Sequence, residues 1–126
     1  MTFLRKRLNS FKYAFTGIGT FFKTQTHPKI HLFAAIAVIA AGFVFEVSAT
    51  EWLVLILAIA LVLAAEAFNS ALEMLCDKVT TEEHPLIKNV KDISAGAVLM
   101  SAITSVIIGL IIFIPKVILF LQMEVL

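Results

Sequence analysis

Glu66, Asn69, Glu73 and Asp77 carry the chemistry that this sequence displays most plainly. At about 100° per residue they fall, together with Ser70, within an arc of roughly 100° on one helix. With a rise of about 1.5 Å per residue, Glu66 and Asp77 stand roughly 16 Å apart along that helix. The stretch before them, from Trp52 to Ala65, holds no charged residue. An acidic side chain at the centre of a lipid-exposed helix costs about 2.5 to 3.5 kcal/mol, so this face has to meet protein, water or ligand rather than lipid tails. Carboxylates beside an amide suit two tasks: holding Mg²⁺ through hard oxygen ligands and taking a proton from a hydroxyl. Phosphoryl transfer needs both. The alternative is structural, with polar groups joining helices to one another, and four aligned groups weaken it relative to a single glutamate.

A second polar cluster follows in the segment from Lys78 to Asp92, with Glu82, Glu83, His84, Lys91 and Asp92. Lys91 and Asp92 stand directly before an uncharged stretch, where a lysine can meet phosphate and an aspartate can orient a metal or a donor. Glu82 and Glu83 read equally well as solvated loop charges. The sequence holds neither a P-loop nor the motif set of soluble protein kinases, so a nucleotide site here is of another kind.

The elements that position these residues are membrane helices. Of 126 residues, 60% are hydrophobic and 15% charged, and the mean hydropathy is +0.99, whereas soluble domains are roughly 45 to 50% apolar. A single domain of three spans is expected over residues 1–126, because each crossing takes about 20 residues. The net charge of +1 gives no reason to expect a nucleic-acid partner. The one cysteine, Cys76, excludes an intrachain disulfide. No short apolar core with a small-residue cleavage site follows the basic N-terminal residues, so a removable signal peptide is not expected.

Leu4, Leu8, Phe11, Phe15, Ile18 and Phe22 recur at steps of four and three, which predicts an amphipathic helix over 3–24 lying in the membrane surface. The spans are predicted at 29–46, 52–76 and 93–114. His27-Pro28 reads as an N-cap and first helical residue for the first of these, and Trp52 as an interfacial aromatic opening the second. Glu46 to Glu51 reads as an acidic turn. Thr80 and Glu83 fit a capping box, and Pro85 a start, for a short helix feeding the third span, which is predicted to end at Pro115-Lys116. Six of the ten lysines and arginines lie at or before the start of the first span, and Lys78, Lys88 and Lys91 lie in the loop after the second. By the positive-inside rule the N-terminus and that loop are cytoplasmic and the C-terminus is outside.

From Glu66-Ala-Phe-Asn-Ser-Ala-Leu-Glu73 through Asp77, Glu82-Glu-His-Pro85 and Lys91-Asp-Ile-Ser-Ala-Gly-Ala-Val-Leu99, the chain resembles the prokaryotic diacylglycerol kinase and undecaprenol kinase family. The resemblance extends back to Ser10-Phe-Lys-Tyr-Ala-Phe-Thr-Gly-Ile18. It implies an all-α homotrimer of three-span subunits, each with a surface helix, that transfers the γ-phosphate of ATP to the hydroxyl of a membrane lipid with Mg²⁺. Position by position, it implies Glu66 as the base toward the lipid hydroxyl, with Asn69 supporting the site, and Glu73 as a metal ligand. It places Lys6, Tyr13, Glu73, Glu82, Glu83, His84, Lys91 and Asp92 around ATP, and Phe15, Glu66 and Ser70 toward the lipid. Gln25 falls where many members carry a second metal-binding glutamate, and no Asp or Glu occurs between Met1 and Phe45 to replace that charge. His31 and the Ser-Ala-Gly-Ala-Val-Leu run lean toward the undecaprenol kinase branch. A trimer also suits a polar face that three helices alone can scarcely cover. The competing reading is a non-enzymatic oligomeric transporter or scaffold whose carboxylates relay protons or hold helices together.

Overall fold

The computed structural model describes residues 2–124, and its regular structure is helical throughout. In chain order the helices are α1 (Phe3–Thr24), α2 (His27–Val44), α3 (Ala49–Val79) and α4 (Pro85–Glu124). The last three are long and apolar enough to cross a membrane. α3 is the central element, packing most extensively on α4 and also on α2.

No residue of α1 is buried. Its apolar residues Leu4, Leu8, Phe11 and Phe15 therefore face away from the rest of the chain and require a lipid or protein neighbour. On its other positions Thr16, Thr20 and Thr24 each donate a hydroxyl hydrogen bond to the carbonyl one turn earlier. That bonding back to the helix satisfies their polarity within α1.

Thr26, rather than His27, occupies the N-cap of α2, and Pro28 lies in its first turn, where the missing N–H costs nothing. α2 ends in a Schellman turn: the Glu46 amide donates to the Phe43 carbonyl at 3.3 Å and the Val47 amide to that of Gly42 at 3.0 Å. Glu46 takes the left-handed conformation this requires, at φ 50°. The expected acidic turn from Glu46 to Glu51 is thus shorter, because Ser48 already caps α3. Its hydroxyl accepts from the Glu51 amide, while the Glu51 carboxylate accepts from the Ser48 amide at 2.7 Å. At this end of the bundle Val47, Leu55 and Ile112 form the core, flanked by Val38, Trp52, Ile108 and Phe113. Gly42 is required there, since a Cβ would come within 2.5 Å of the Trp52 ring.

α4 departs from expectation at both ends. Thr80 does not start a capping box with Glu83; it caps the end of α3, and its hydroxyl accepts from the Glu82 amide. His84 caps α4 instead, with Nδ1 accepting from the Leu86 amide at 3.2 Å. From Pro85 the helix is continuous, with no separate short helix before the third span. It also runs through Pro115 to Glu124. Proline removes one backbone hydrogen bond, yet Lys116 pairs with Glu51 at 3.0 Å and Phe120 packs edge-on against Phe45. Those contacts tie the continuation of α4 to the neighbouring helices.

Candidate active site

Glu66 is 5% exposed, deep on the face of α3 that meets its neighbours. Its Oε1 lies 3.0 Å from Nε2 of His31 on α2. One turn further along α3, Asn69 links the helices in the other direction. Its amide nitrogen donates to Glu73 Oε1 at 3.3 Å, and its carbonyl oxygen accepts from the Ser94 hydroxyl of α4 at 2.6 Å. A carboxylate only accepts and a hydroxyl can donate, so these two partners fix which way the Asn69 amide points. About two turns beyond Asn69, Asp77 accepts from Lys91 Nζ of α4 at 2.6 Å. The polar arc expected on α3 is therefore stitched to α2 through Glu66 and to α4 through Asn69 and Asp77.

Glu66, Asn69 and Ser70 are buried within a single chain. This corrects the premise that three helices cannot cover the polar face: α2 supplies His31, and α4 supplies Ser94 and Lys91. Coverage of that face is consequently no argument for a trimer.

Beyond Asp77 the face opens into a cleft of about 770 Å³ lined by Asp77, Glu82, Glu83, His84, Lys88, Lys91 and Asp92, among others. All five residues expected from the loop cluster come together here. Asp92 also pairs with Lys88, one turn before it. The side chain of Asp77 is 67% exposed and that of Lys91 37%, and an ion pair so exposed is weak because water screens it. Lys91 is thus held in the cleft by a contact that another anion can replace at little cost.

Tyr13, Gln25 and Ser70 meet in a separate groove of about 450 Å³ between α1 and α3. Glu73 does not line this groove, so the two expected metal ligands, Glu73 and Gln25, do not share a cleft in one chain. Phe15, 72% exposed, and Lys6 line none of these spaces. Among the described residues no three His, Cys, Asp or Glu side chains converge on a metal position. Glu73 is half-buried, with Oε1 accepting from the Asn69 amide; Mg²⁺, which commonly takes one or two carboxylates and completes its shell with phosphate oxygens and water, would find one such ligand there.

Sequence reasoning did not assign His31, Ser94 or Lys88 to the site. The signal for His31 was available, since it is the ionisable residue carried furthest into the apolar run of α2, and such a residue inside a span calls for a polar partner. Ser94 gave no comparable sign, a serine being ordinary in a membrane helix.

Residues 12–113 match the family described as prokaryotic diacylglycerol kinase. The chain belongs to that family, and it is an integral membrane lipid kinase. It is 41% identical over 113 residues to the undecaprenol kinase of Bacillus subtilis (strain 168), covering 90% of this chain and 92% of that one. It is 40% identical over 109 residues to a diacylglycerol kinase of Synechocystis sp., covering 86% of this chain and 62% of the relative. A diacylglycerol kinase of Haemophilus influenzae is 32% identical over 113 residues, 89% of this chain and 96% of its own. The family named from the motifs on α3 and α4 is the family found, and the transporter or scaffold reading falls away.

Proposed function

We propose that the chain transfers the γ-phosphate of ATP, with Mg²⁺, to the hydroxyl of a membrane lipid at the cytoplasmic surface, with Glu66 as the base. The observation that carries this reading is the buried Glu66, which stands on one helix face with Glu73 and below the cleft that holds Lys91 and Asp92. In this reading Glu66 would meet the headgroup hydroxyl of the lipid, with Glu73 between it and the cleft along α3 and Lys91 where phosphate would arrive. Mg²⁺ on Glu73 would draw charge off the transferring phosphate, while Glu66 takes the hydroxyl proton. Glu82, Glu83, His84 and Asp92 line the space proposed for the nucleotide, while Tyr13 and Lys6, which do not line it within one chain, are carried as nucleotide contacts by the family resemblance alone. Phe15 and Ser70 would border the lipid.

A homotrimer fits the separation of the expected metal ligands: Gln25 lines the groove between α1 and α3 while Glu73 does not, and a neighbouring subunit would bring Gln25 toward Glu73. The basic residues of α1, together with Lys78 at the end of α3 and Lys88 and Lys91 at the start of α4, favour the cytoplasmic side for the N-terminus and the cleft, and the outside for the C-terminus. The acceptor is a lipid alcohol, and relatives at 41% and 40% identity carry the names undecaprenol kinase and diacylglycerol kinase. The test offers diacylglycerol, undecaprenol and a short-chain alcohol in parallel to the reconstituted protein with γ-labelled ATP and Mg²⁺. Label is expected in at least one of the two lipids and not without Mg²⁺; label in neither would overturn the reading.

A further inference from the structure

We infer that His31 is a positioning residue for Glu66: its Nε2–H holds one carboxylate oxygen and leaves the other aimed at the lipid hydroxyl. This rests on the reading of Glu66 as the base. The contact is 3.0 Å, joins two different helices, and involves a glutamate side chain only 6% exposed. An ionised carboxylate only accepts, so the proton of the contact sits on Nε2. No buried side-chain oxygen or nitrogen among the described residues lacks a partner. Glu66 Oε2 makes no hydrogen bond of its own, so it is the oxygen left open at the surface of the chain. One oxygen is tied and the other is free, which is the arrangement a base requires.

The surroundings make the tie matter. His31 also lines an apolar cavity of about 470 Å³ between α2, α3 and α4, with Ala35, Val38, Leu55 and Val62 along its walls. Glu66 does not itself line that cavity but is 5% exposed; a carboxylate so buried and without a partner bears its full desolvation cost, and one donor at a fixed angle both offsets that cost and sets the orientation. Asn69, one turn away, is already committed to Glu73 and Ser94. His31 is therefore the donor that meets Glu66 in this chain. The proton taken from the lipid hydroxyl goes to Oε2, and His31 keeps its own.

The test compares His31→Ala, His31→Gln and His31→Leu with Glu66→Gln in the full chain reconstituted in vesicles, reading kcat and KM for ATP and for the lipid. His31→Ala is expected to lower kcat by about 10- to 100-fold, the scale on which loss of a hydrogen-bond partner that orients a metal-ligating side chain is felt, with KM for ATP unchanged. His31→Gln, which restores an N–H near the position of Nε2, is expected to recover a large part of that loss. His31→Leu fills the space without a donor and should behave as His31→Ala does, so it serves in place of an alanine variant that fails to assemble. Combined with Glu66→Gln, loss of His31 should cost nothing further. Wild-type kcat in both His31→Ala and His31→Leu, or no advantage of glutamine over leucine, overturns the inference. If Glu66→Gln is inactive in that same experiment, the base assignment stands while the role of His31 falls; if Glu66→Gln turns over normally, the base assignment itself fails.

Discussion

The deep half of the polar face and the cleft above it are built from the same residue types by opposite means. Glu66 and Asn69 are buried and held by side chains of α2 and α4 at fixed distances. Asp77, Lys88, Lys91 and Asp92 are paired too, but in the open, where water competes for every contact. A buried pair strengthens in low dielectric and penalises any loss of a partner, whereas an exposed pair is weak and easily exchanged. The contrast matches two tasks. A base that meets a lipid hydroxyl gains from being fixed before the substrate arrives, while residues that receive and release a nucleotide gain from being replaceable.

Several substitutions probe that contrast. After Glu66 itself, the largest expected effect is at Asn69, which serves Glu73 and Ser94 together: Asn69→Ala should lower kcat by about 10- to 100-fold, as removal of a group that orients a metal ligand usually does, and initial rates across a Mg²⁺ titration will show it. A loss below twofold would make the buried half as tolerant as the cleft. Lys91→Ala should act on the nucleotide instead, raising KM for ATP roughly tenfold, because it removes a charge-assisted hydrogen bond to phosphate. Unchanged KM would remove Lys91 from the phosphate path. Gln25→Glu should lower the Mg²⁺ concentration for half-maximal rate by a few fold, because a charged oxygen replaces a neutral one; an unaltered Mg²⁺ dependence would place Gln25 outside the metal shell. The smallest effect is on stability: Asp77→Asn should shift the unfolding free energy by less than about 1 kcal/mol, measured by denaturation in detergent. A larger loss would mean that the cleft is built as rigidly as the buried face.

How much of this the sequence revealed depends on how far each signal reaches along one chain segment. The arc of Glu66, Asn69, Ser70, Glu73 and Asp77 was legible because helical period and the cost of charge in lipid both act within α3. The gathering of Glu82, His84, Lys91 and Asp92 was legible because they lie close in sequence. The pairing of His31 with Glu66 was not, since it depends on the register of α2 against α3, which no spacing within either helix encodes. Pro115 misled for a related reason: the lost hydrogen bond is a local signal for a helix end, and contacts from Glu51 and Phe45 outweigh it. At Thr80 the local pattern had two solutions, a capping box or a turn, and the need of α4 for a start at Pro85 selected the turn.

The central claim is that Glu66 takes the proton from the lipid hydroxyl. A single-turnover measurement of γ-phosphate transfer from ATP to the lipid, comparing wild type with Glu66→Gln at saturating Mg²⁺ and with nucleotide binding followed in parallel, addresses it directly. The expected result is a transfer rate lowered by about 10² to 10⁴-fold, the usual contribution of a general base, with nucleotide affinity intact. Transfer at the wild-type rate in Glu66→Gln would contradict the account.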